Sequence, residues 1–489
     1  MRLEPRKRAI VAVLSLTMLS GCVVGPDYQT PGSVLPASWS SRQGKEAEKP
    51  AQLSHWWRNL NDPLLNSYVD RAMGANLRVQ AAMARVTEAR AQLRQDEGGL
   101  LPTLGSSSSV QRSKVAEQSA AVGDNPATQW RSGFDAGWEI DLFGGRRRSV
   151  EAARYGLDAS QEDLRNTMLV LIGDVASNYV QVRGSQAQLA LARRTGRSQR
   201  DTAALTRAKA DAGTATVAEV ARSEALAAST EAQIPAIEIN RSAAIHRLGV
   251  LLGLPPASLA LELEKSRPIP RPKLPMPVGI PADSILARPD VRMAERQLAQ
   301  STARIGVAEA ARYPSLSLTG NIASQALSLG DLAEKSTMSW AIGPALTIPL
   351  FRGGQLKTAV EVSRARRDAS AAAYQTAVLT AMEDVENAIV SLNQNRIRGA
   401  KLTQAVSSYW TAYQASRVQY ESGTLDYLNL LDTQRAQYDA EASLIDSQIA
   451  LTKAYISLNK ALGGGWSGQR AGVKVASNEA SPATIEASR

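Results

Sequence analysis

One cysteine, two histidines and three phenylalanines in 489 residues exclude a good deal. A lone Cys22 leaves no disulfide and no multi-cysteine metal site within the chain. His55 and His246 stand far apart, with no HExxH, and nine scattered methionines form no metal-binding cluster. No P-loop and no GxGxxG occurs, so no phosphate cradle is expected. The chain therefore reads as no enzyme, with no cofactor and no metal. Hydrophobic residues make up 44%, yet no run of eighteen apolar residues occurs, so a membrane-crossing helix is not expected.

The longest apolar run is Ala9 to Leu19, behind Arg2, Arg6, Lys7 and Arg8. A basic start and a short apolar middle predict a secretory signal over residues 1–21. It ends in Leu19-Ser20-Gly21-Cys22, which resembles the bacterial lipobox, so Cys22 is expected to become the acylated N-terminus. Each buried CH₂ of an acyl chain contributes about 0.8 kcal/mol to anchoring. Val23, rather than Asp, at the next position favours the outer membrane. Net charge is +10, of which the signal supplies +3 (four basic residues less Glu4). Export, and basic residues dispersed among acidic ones, argue against nucleic acid as a partner.

The phrase "YESGTLDYLNLLDTQRAQ" (Tyr420 to Gln437) has a counterpart, "ADAGTATVAEVARSEAL" (Ala210 to Leu226). Each puts Gly-Thr between two segments of helical character. Other landmarks recur in the same order: Pro102 with Pro314, Phe143 with Phe351, Gly213 with Gly423, and Gly253 with Gly463. Near-constant spacing predicts a duplicated unit. An anchor and equatorial segment over 22–74 precedes the first repeat, 75–263. A proline-rich linker (264–281), the second repeat (282–465) and a polar tail (466–489) follow.

Each repeat is expected to run helix, two strands, very long helix, turn, helix. The strands are placed near 102–112, 129–142, 315–324 and 338–350, the long helices near 146–211 and 355–420. The turns are expected at 212–216 and 421–425, and the returning helices at 217–253 and 426–462. Val378, Met382, Val385, Ile389 and Leu392, then Leu402, Val406, Tyr409 and Tyr413, have coiled-coil spacing. Leu164, Met168, Leu171 and Val175 have it in the first copy. There Gly156, Gly173, Gly184 and Gly196 weaken the helix by about 1 kcal/mol each against alanine.

In the strands, Trp130, Phe134, Trp138 and Ile140 alternate with Arg131, Asp135 and Glu139. Likewise Leu316, Leu318 and Ile322 alternate with Ser317, Thr319 and Asn321, while Trp340, Ile342 and Leu346 share a face. The strand at Leu104 to Gln111 is serine-rich and weak. A bend is expected at Pro344 and Pro349. Such alternation suits an outer-membrane barrel or a half-buried soluble hairpin equally. Four strands cannot close a barrel, and open edges are not tolerated in lipid, so the membrane reading demands several chains.

Several stretches together resemble the TolC-like outer membrane factors, most closely their lipoprotein, OprM-like (NodT) branch. They are "CVVGPDYQTP" (22–31), "WWRNLNDPLLNSYVDRAMGANL" (56–77), "LARPDVRMAERQL" (286–298) and "ALGGGW" (461–466). The resemblance implies a mainly α protein with a transmembrane β-barrel. Three chains would share a twelve-stranded barrel continued by an α-helical coiled-coil tunnel in the periplasm. It implies a passive outer-membrane exit duct for small toxic compounds such as drugs, a homotrimer in outer-membrane lipid. Its partners would be a periplasmic adaptor protein and a proton-driven inner-membrane efflux pump. Gly213, Thr214, Gly423 and Thr424 would form adaptor-contacting tips. Leu428 and Asp432 would constrict the lumen as rings, with Arg435 and Tyr420 holding the gate.

From spacing alone, Leu428, Asp432 and Arg435 share one helix face, and an ordinary seam with an Asp432–Arg435 surface pair fits as well. A lipid-anchored periplasmic coiled-coil scaffold without a pore is the rival from another class. Ducts for metal ions or secreted proteins are rivals within the family.

Overall fold

Two proline-free stretches become the longest elements. The computed structural model describes residues 23–32, 54–114, 126–272 and 282–464. Its helices are α1 (Pro63–Ala75), α2 (Leu77–Gly98), α3 (Gly145–Asp211), α4 (Val217–Leu251), α5 (Pro289–Ala310), α6 (Gln355–Glu421) and α7 (Tyr427–Ala461). Its strands are β1 (Thr103–Ser113), β2 (Ala127–Ile140), β3 (Ser315–Ala326) and β4 (Met338–Thr347). Helices α3 and α6 have 67 residues each. At 1.5 Å per residue each is about 100 Å long. The signal, Cys22 and the polar tail lie outside the described residues.

The chain divides into two compact units. The first holds the sheet, α2, α5 and the opening turns of α3 and α6. Here Arg148, almost fully buried on α3, grips the segment that follows Cys22. Its guanidinium donates to Asp27 Oδ1 and Glu151 Oε2 at 2.6 Å each, and to the carbonyls of Val24 and Gly25. Gly25 has φ +90°, and a Cβ there would lie 2.4 Å from the Gly306 Cα, so both positions need glycine. On α5, Arg288 pairs with Asp290 at 2.7 Å and donates to the Ala381 carbonyl, which docks the RPD turn against α6.

The second unit holds α1, α4, α7 and the remainder of α3 and α6. Trp56 and Trp57 of the WW pair are buried, and the Tyr455 hydroxyl donates to the Trp56 carbonyl at 3.2 Å. Asp62 caps α1 through the amides of Leu64 and Leu65. Its second oxygen accepts from Tyr179 OH at 2.7 Å, and Tyr179 accepts in turn from the fully buried Arg183. Burial, then the bond to Asp62, pushes the Tyr179 phenol up, so it stays protonated and can donate. Arg183 and Gln186 also bind the carbonyls of Lys265 and Leu263, so the start of the proline-rich linker is held against α3.

Two glycines of α3 stand where a neighbouring helix comes close. A Cβ on Gly184 would lie 2.3 Å from Ile449 Cδ1 of α7, and one on Gly196 3.3 Å from Glu231 Cγ. Close approach offsets their low helix propensity. Gly184→Ala is therefore expected to destabilise, despite alanine's gain of about 1 kcal/mol in helix propensity, because overpacking costs about 1–3 kcal/mol. Thermal unfolding followed by circular dichroism checks the sign.

The seam of α6 runs through Tyr374, Val378, Ala381, Val385, Ala388 and Leu392, all buried, at steps of four and three. Met382 is only half-buried, and Tyr409 is exposed, contrary to its expected place in the seam. Val378, Val385, Ile389 and Leu392 are buried as their spacing predicts, with Ala381 and Ala388 buried beside them. Beyond Leu392 the next fully buried residues of α6 are Tyr413 and Tyr420.

Candidate functional site

Helix α3 ends where Gly213 turns to φ +74°, and α6 where Gly423 turns to φ +78°. Thr214 N donates to Lys209 O at 2.8 Å, and Thr424 N to Gln419 O at 2.9 Å. Gly213 N and Gly423 N bind the carbonyls of Ala210 and Tyr420. This pair of bonds satisfies the last carbonyls of a helix whose chain then reverses. Thr216 caps α4 in a reciprocal box with Glu219, and Asp426 caps α7 through Asn429 N at 3.0 Å. The two Gly-Thr phrases thus fold into turns of one design. Gly423→Ala is expected to cost about 1–2 kcal/mol, since a Cβ disfavours the left-handed region. Local hydrogen exchange at the turn measures it.

Above the second turn the two residue sets that sequence grouped together separate. Tyr420 points inward and is buried with Tyr413, Tyr427 and Leu430. Thr206 Oγ1 donates to Thr202 O, which leaves Tyr420 OH as the donor in its 2.9 Å bond to Thr206. Lys209 Nζ sits 3.9 Å from the Tyr420 ring centre and donates to the Tyr420 carbonyl. A cation over a ring contributes about 0.5–1 kcal/mol at exposed sites. Burial pushes the Tyr427 phenol up, so this tyrosine stays neutral as well. Tyr420→Phe should loosen the second turn by about 0.5–1.5 kcal/mol, read as faster amide exchange through residues 413–431.

Leu428, Asp432 and Arg435 point outward instead. Leu428 keeps 46% of its surface, and Asp432 and Arg435 are exposed. Neither charge has an ion-pair or hydrogen-bond partner among the described residues, so the surface pair that spacing allows is not formed. One exposed face of α7 thus offers an apolar side chain and two uncommitted charges within two helical turns. Sequence reasoning missed Lys209, Thr206 and Tyr427 as the partners of Tyr420. The seven-residue spacing of Tyr413, Tyr420 and Tyr427 was the available signal.

The first unit supplies a second surface. Its sheet has the order β1-β2-β3-β4, antiparallel throughout. Register pairs Ser106 with Phe134, Phe134 with Ile322, and Ile322 with Trp340. Every pair joins residues of the same parity, so even positions share one face and odd positions the other. The even face carries Leu104, Phe134, Trp138, Ile322, Trp340, Ile342 and Leu346, all exposed. The odd face carries Ser107, Arg131, Asp135, Glu139 and Asn321, with Ser107 Oγ donating to Asp135 Oδ2 at 2.9 Å.

Strand β4 runs through Pro344, which stays paired with Leu318 of β3, and stops before Pro349. In the single chain it is the last strand of the sheet. The serine-rich β1 pairs along all eleven residues. Both outer edges, of β1 and of β4, are unpaired among the described residues of the single chain.

Known proteins share this architecture. The profile of the family described as "Outer membrane efflux protein" matches residues 68–254 and again 280–464. Nodulation protein T of Rhizobium leguminosarum bv. trifolii is 36% identical over 455 residues, spanning 92% of this chain and 96% of the relative. Solvent efflux pump outer membrane protein SrpC of Pseudomonas putida is 30% identical over 462 residues, spanning 93% of this chain and 98% of the relative. The solved structure of the outer-membrane channel OprN superposes with a TM-score of 0.85 at 31% identity, covering 91% of this chain and all of that one. With both halves matched by one profile and the fold shared with an outer-membrane channel, the chain belongs to the outer membrane efflux protein family.

Proposed function

We propose that three copies close one twelve-stranded barrel in the outer membrane. Helices α3, α4, α6 and α7 of each would continue it as a periplasmic tunnel, with every chain an internal duplication. The observation that carries this is the sheet: its large apolar side chains, from Leu104 to Leu346, lie on even positions, the charged Arg131, Asp135 and Glu139 on odd ones, and both edges are open among the described residues. A lipid-exposed sheet with open edges is not viable, so further copies must pair with β1 and β4. Exposed apolar residues along α6, among them Leu379, Val390 and Trp410, are consistent with burial against further copies. The double profile match and the twin Gly-Thr turns support the duplication.

The duct is passive and carries small toxic compounds outward. A proton-driven inner-membrane pump supplies the energy, and a periplasmic adaptor joins the two at the turns around Gly213, Thr214, Gly423 and Thr424. Leu428 forms an apolar collar and Asp432 a ring of negative charge that favours cations. Tyr420, latched to Thr206 and Lys209, and Arg435 hold the tip. Complementation tests the reading: a strain lacking its outer-membrane duct should regain resistance to solvents or drugs only when adaptor and pump are present. Resistance without them would contradict it.

Cys22 carries the lipid in this account. Cys22→Ser should incorporate no labelled fatty acid and retain its signal sequence. Labelling of that variant would overturn the assignment.

A further inference from the structure

The even face of the sheet is uncharged at every strand position but one. That position is Arg112, near the end of β1. The other charges of the four strands, Arg131, Asp135 and Glu139, all stand on odd positions. Register sets Arg112 opposite Thr128, one row past the Val110–Trp130 pair. This is the end of the sheet away from Ile140 and the helices. Lys114 follows at the next even position, directly beyond the strand. Two residues of strand span about 6.8 Å, so both cations are within reach of one phosphorylated headgroup. Both are exposed, and neither has an ion-pair or hydrogen-bond partner among the described residues. The described acids at this end, Asp331 and Glu334, line a hollow with Gln129, Gln325 and Ser339, which stand on odd positions.

The height of Arg112 decides what meets it. From Ile140 to Thr128, β2 covers about 41 Å at about 3.4 Å per residue. A strand tilt of about 40° makes that about 31 Å of height, against an apolar band about 25 Å tall. Arg112 therefore clears the band on the side away from the helices, just past Trp130, whose indole suits a membrane–water interface. An arginine on the lipid face costs about 2–4 kcal/mol at the midplane and about 0–1 kcal/mol near the interface. At this height the charge is tolerated and meets headgroups.

We infer that Arg112 and Lys114 bind phosphate of lipopolysaccharide, the glycolipid of the outer leaflet. This rests on the barrel proposed above, with the even face toward lipid. The guanidinium takes two phosphate oxygens at once, and the ammonium adds a compact point charge beside it. Lipid A carries phosphate at both ends of its sugar core, so neighbouring molecules repel one another. Cations fixed at headgroup height relieve that repulsion. The apolar rows below the pair cover the acyl chains of the same molecule, so one lipid engages both parts of the face.

Full-length oligomer in mild detergent, titrated with bisphosphorylated lipid A and read by native mass spectrometry, tests this. Arg112→Gln with Lys114→Gln should weaken binding about tenfold or more, since two charge-assisted contacts are lost. Lipid A stripped of its phosphates should bind the unaltered protein no better than bisphosphorylated lipid A binds that variant. Lys335→Gln, which removes an exposed cation of the β3–β4 connection, should change nothing. Unchanged binding in the double variant would overturn the site. Phosphatidylglycerol binding as tightly as lipid A, and lost in the same variant, would overturn the glycolipid and assign the pair to phospholipid. Displacement of lipid A by millimolar inorganic phosphate would reduce the pair to a general anion site and overturn the lipid. Loss through Arg131→Gln instead would turn the odd face to lipid and overturn the barrel's assignment of faces. Monomer alone in the same spectra would overturn the shared barrel itself.

Discussion

Replacing Leu428 and Asp432 together by alanine is expected to raise single-channel conductance severalfold and to make cells leaky to large antibiotics when the pump is absent. Both side chains are exposed on α7, and Asp432 has no ion-pair partner among the described residues, so removing them breaks no ion pair of the folded chain. Surface changes of that kind stay within about 0.5 kcal/mol in stability. The substitution therefore separates pore width from folding. Three leucines converging on an axis would make an apolar collar, and three carboxylates in a narrow, weakly screened passage would concentrate cations. The double variant should conduct more and select cations less. Unchanged conductance and selectivity in fully assembled protein would remove Leu428 and Asp432 from the constriction and leave the duct itself standing.

Phe134→Arg should abolish or strongly reduce assembly, whereas Asp135→Arg should assemble. The two residues are neighbours on β2 and differ in face. Phe134 lies in the apolar row with Ile322 and Trp340, and Asp135 lies opposite, bonded to Ser107. An arginine on the lipid face costs about 2–4 kcal/mol at the bilayer midplane. Three copies would incur that cost three times in one barrel. A charge exchanged on the polar face faces water and loses one serine bond, about 1 kcal/mol. Trimer yield in outer membranes, on unheated gels, reads the difference. Equal yields from both variants would reverse or abolish the assignment of faces.

What sequence made legible follows from what is local. Proline-free length and periodicity mark α3 and α6, and alternation in β2, β3 and β4 marks their faces, because helix and strand periods are properties of consecutive residues. The twin Gly-Thr turns are visible because a left-handed residue after a helix is nearly always glycine. Motifs spread over most of the chain made the family legible. The long-range partners were not. Nothing near Tyr420 in sequence announces Thr206 or Lys209, more than two hundred residues away. Arg148 sits in an apparently solvated run of three arginines, yet it is the buried one, because α3 turns that face toward residues 24–27. Propensity argued against the glycines of α3, and packing against Ile449 explains one of them. In α6, Val378, Val385, Ile389 and Leu392 keep the seam that their spacing predicts, while Met382 and Tyr409 lie outside it.

Conductance across a planar lipid bilayer decides whether the assembled protein is a duct. Purified oligomer, with neither pump nor adaptor nor any energy source, should insert and give discrete, ohmic current steps. Those steps should be small for the unaltered protein and larger for the Leu428→Ala, Asp432→Ala variant. Stably inserted oligomers that pass no current in either form would contradict a duct and point to a lipid-anchored scaffold.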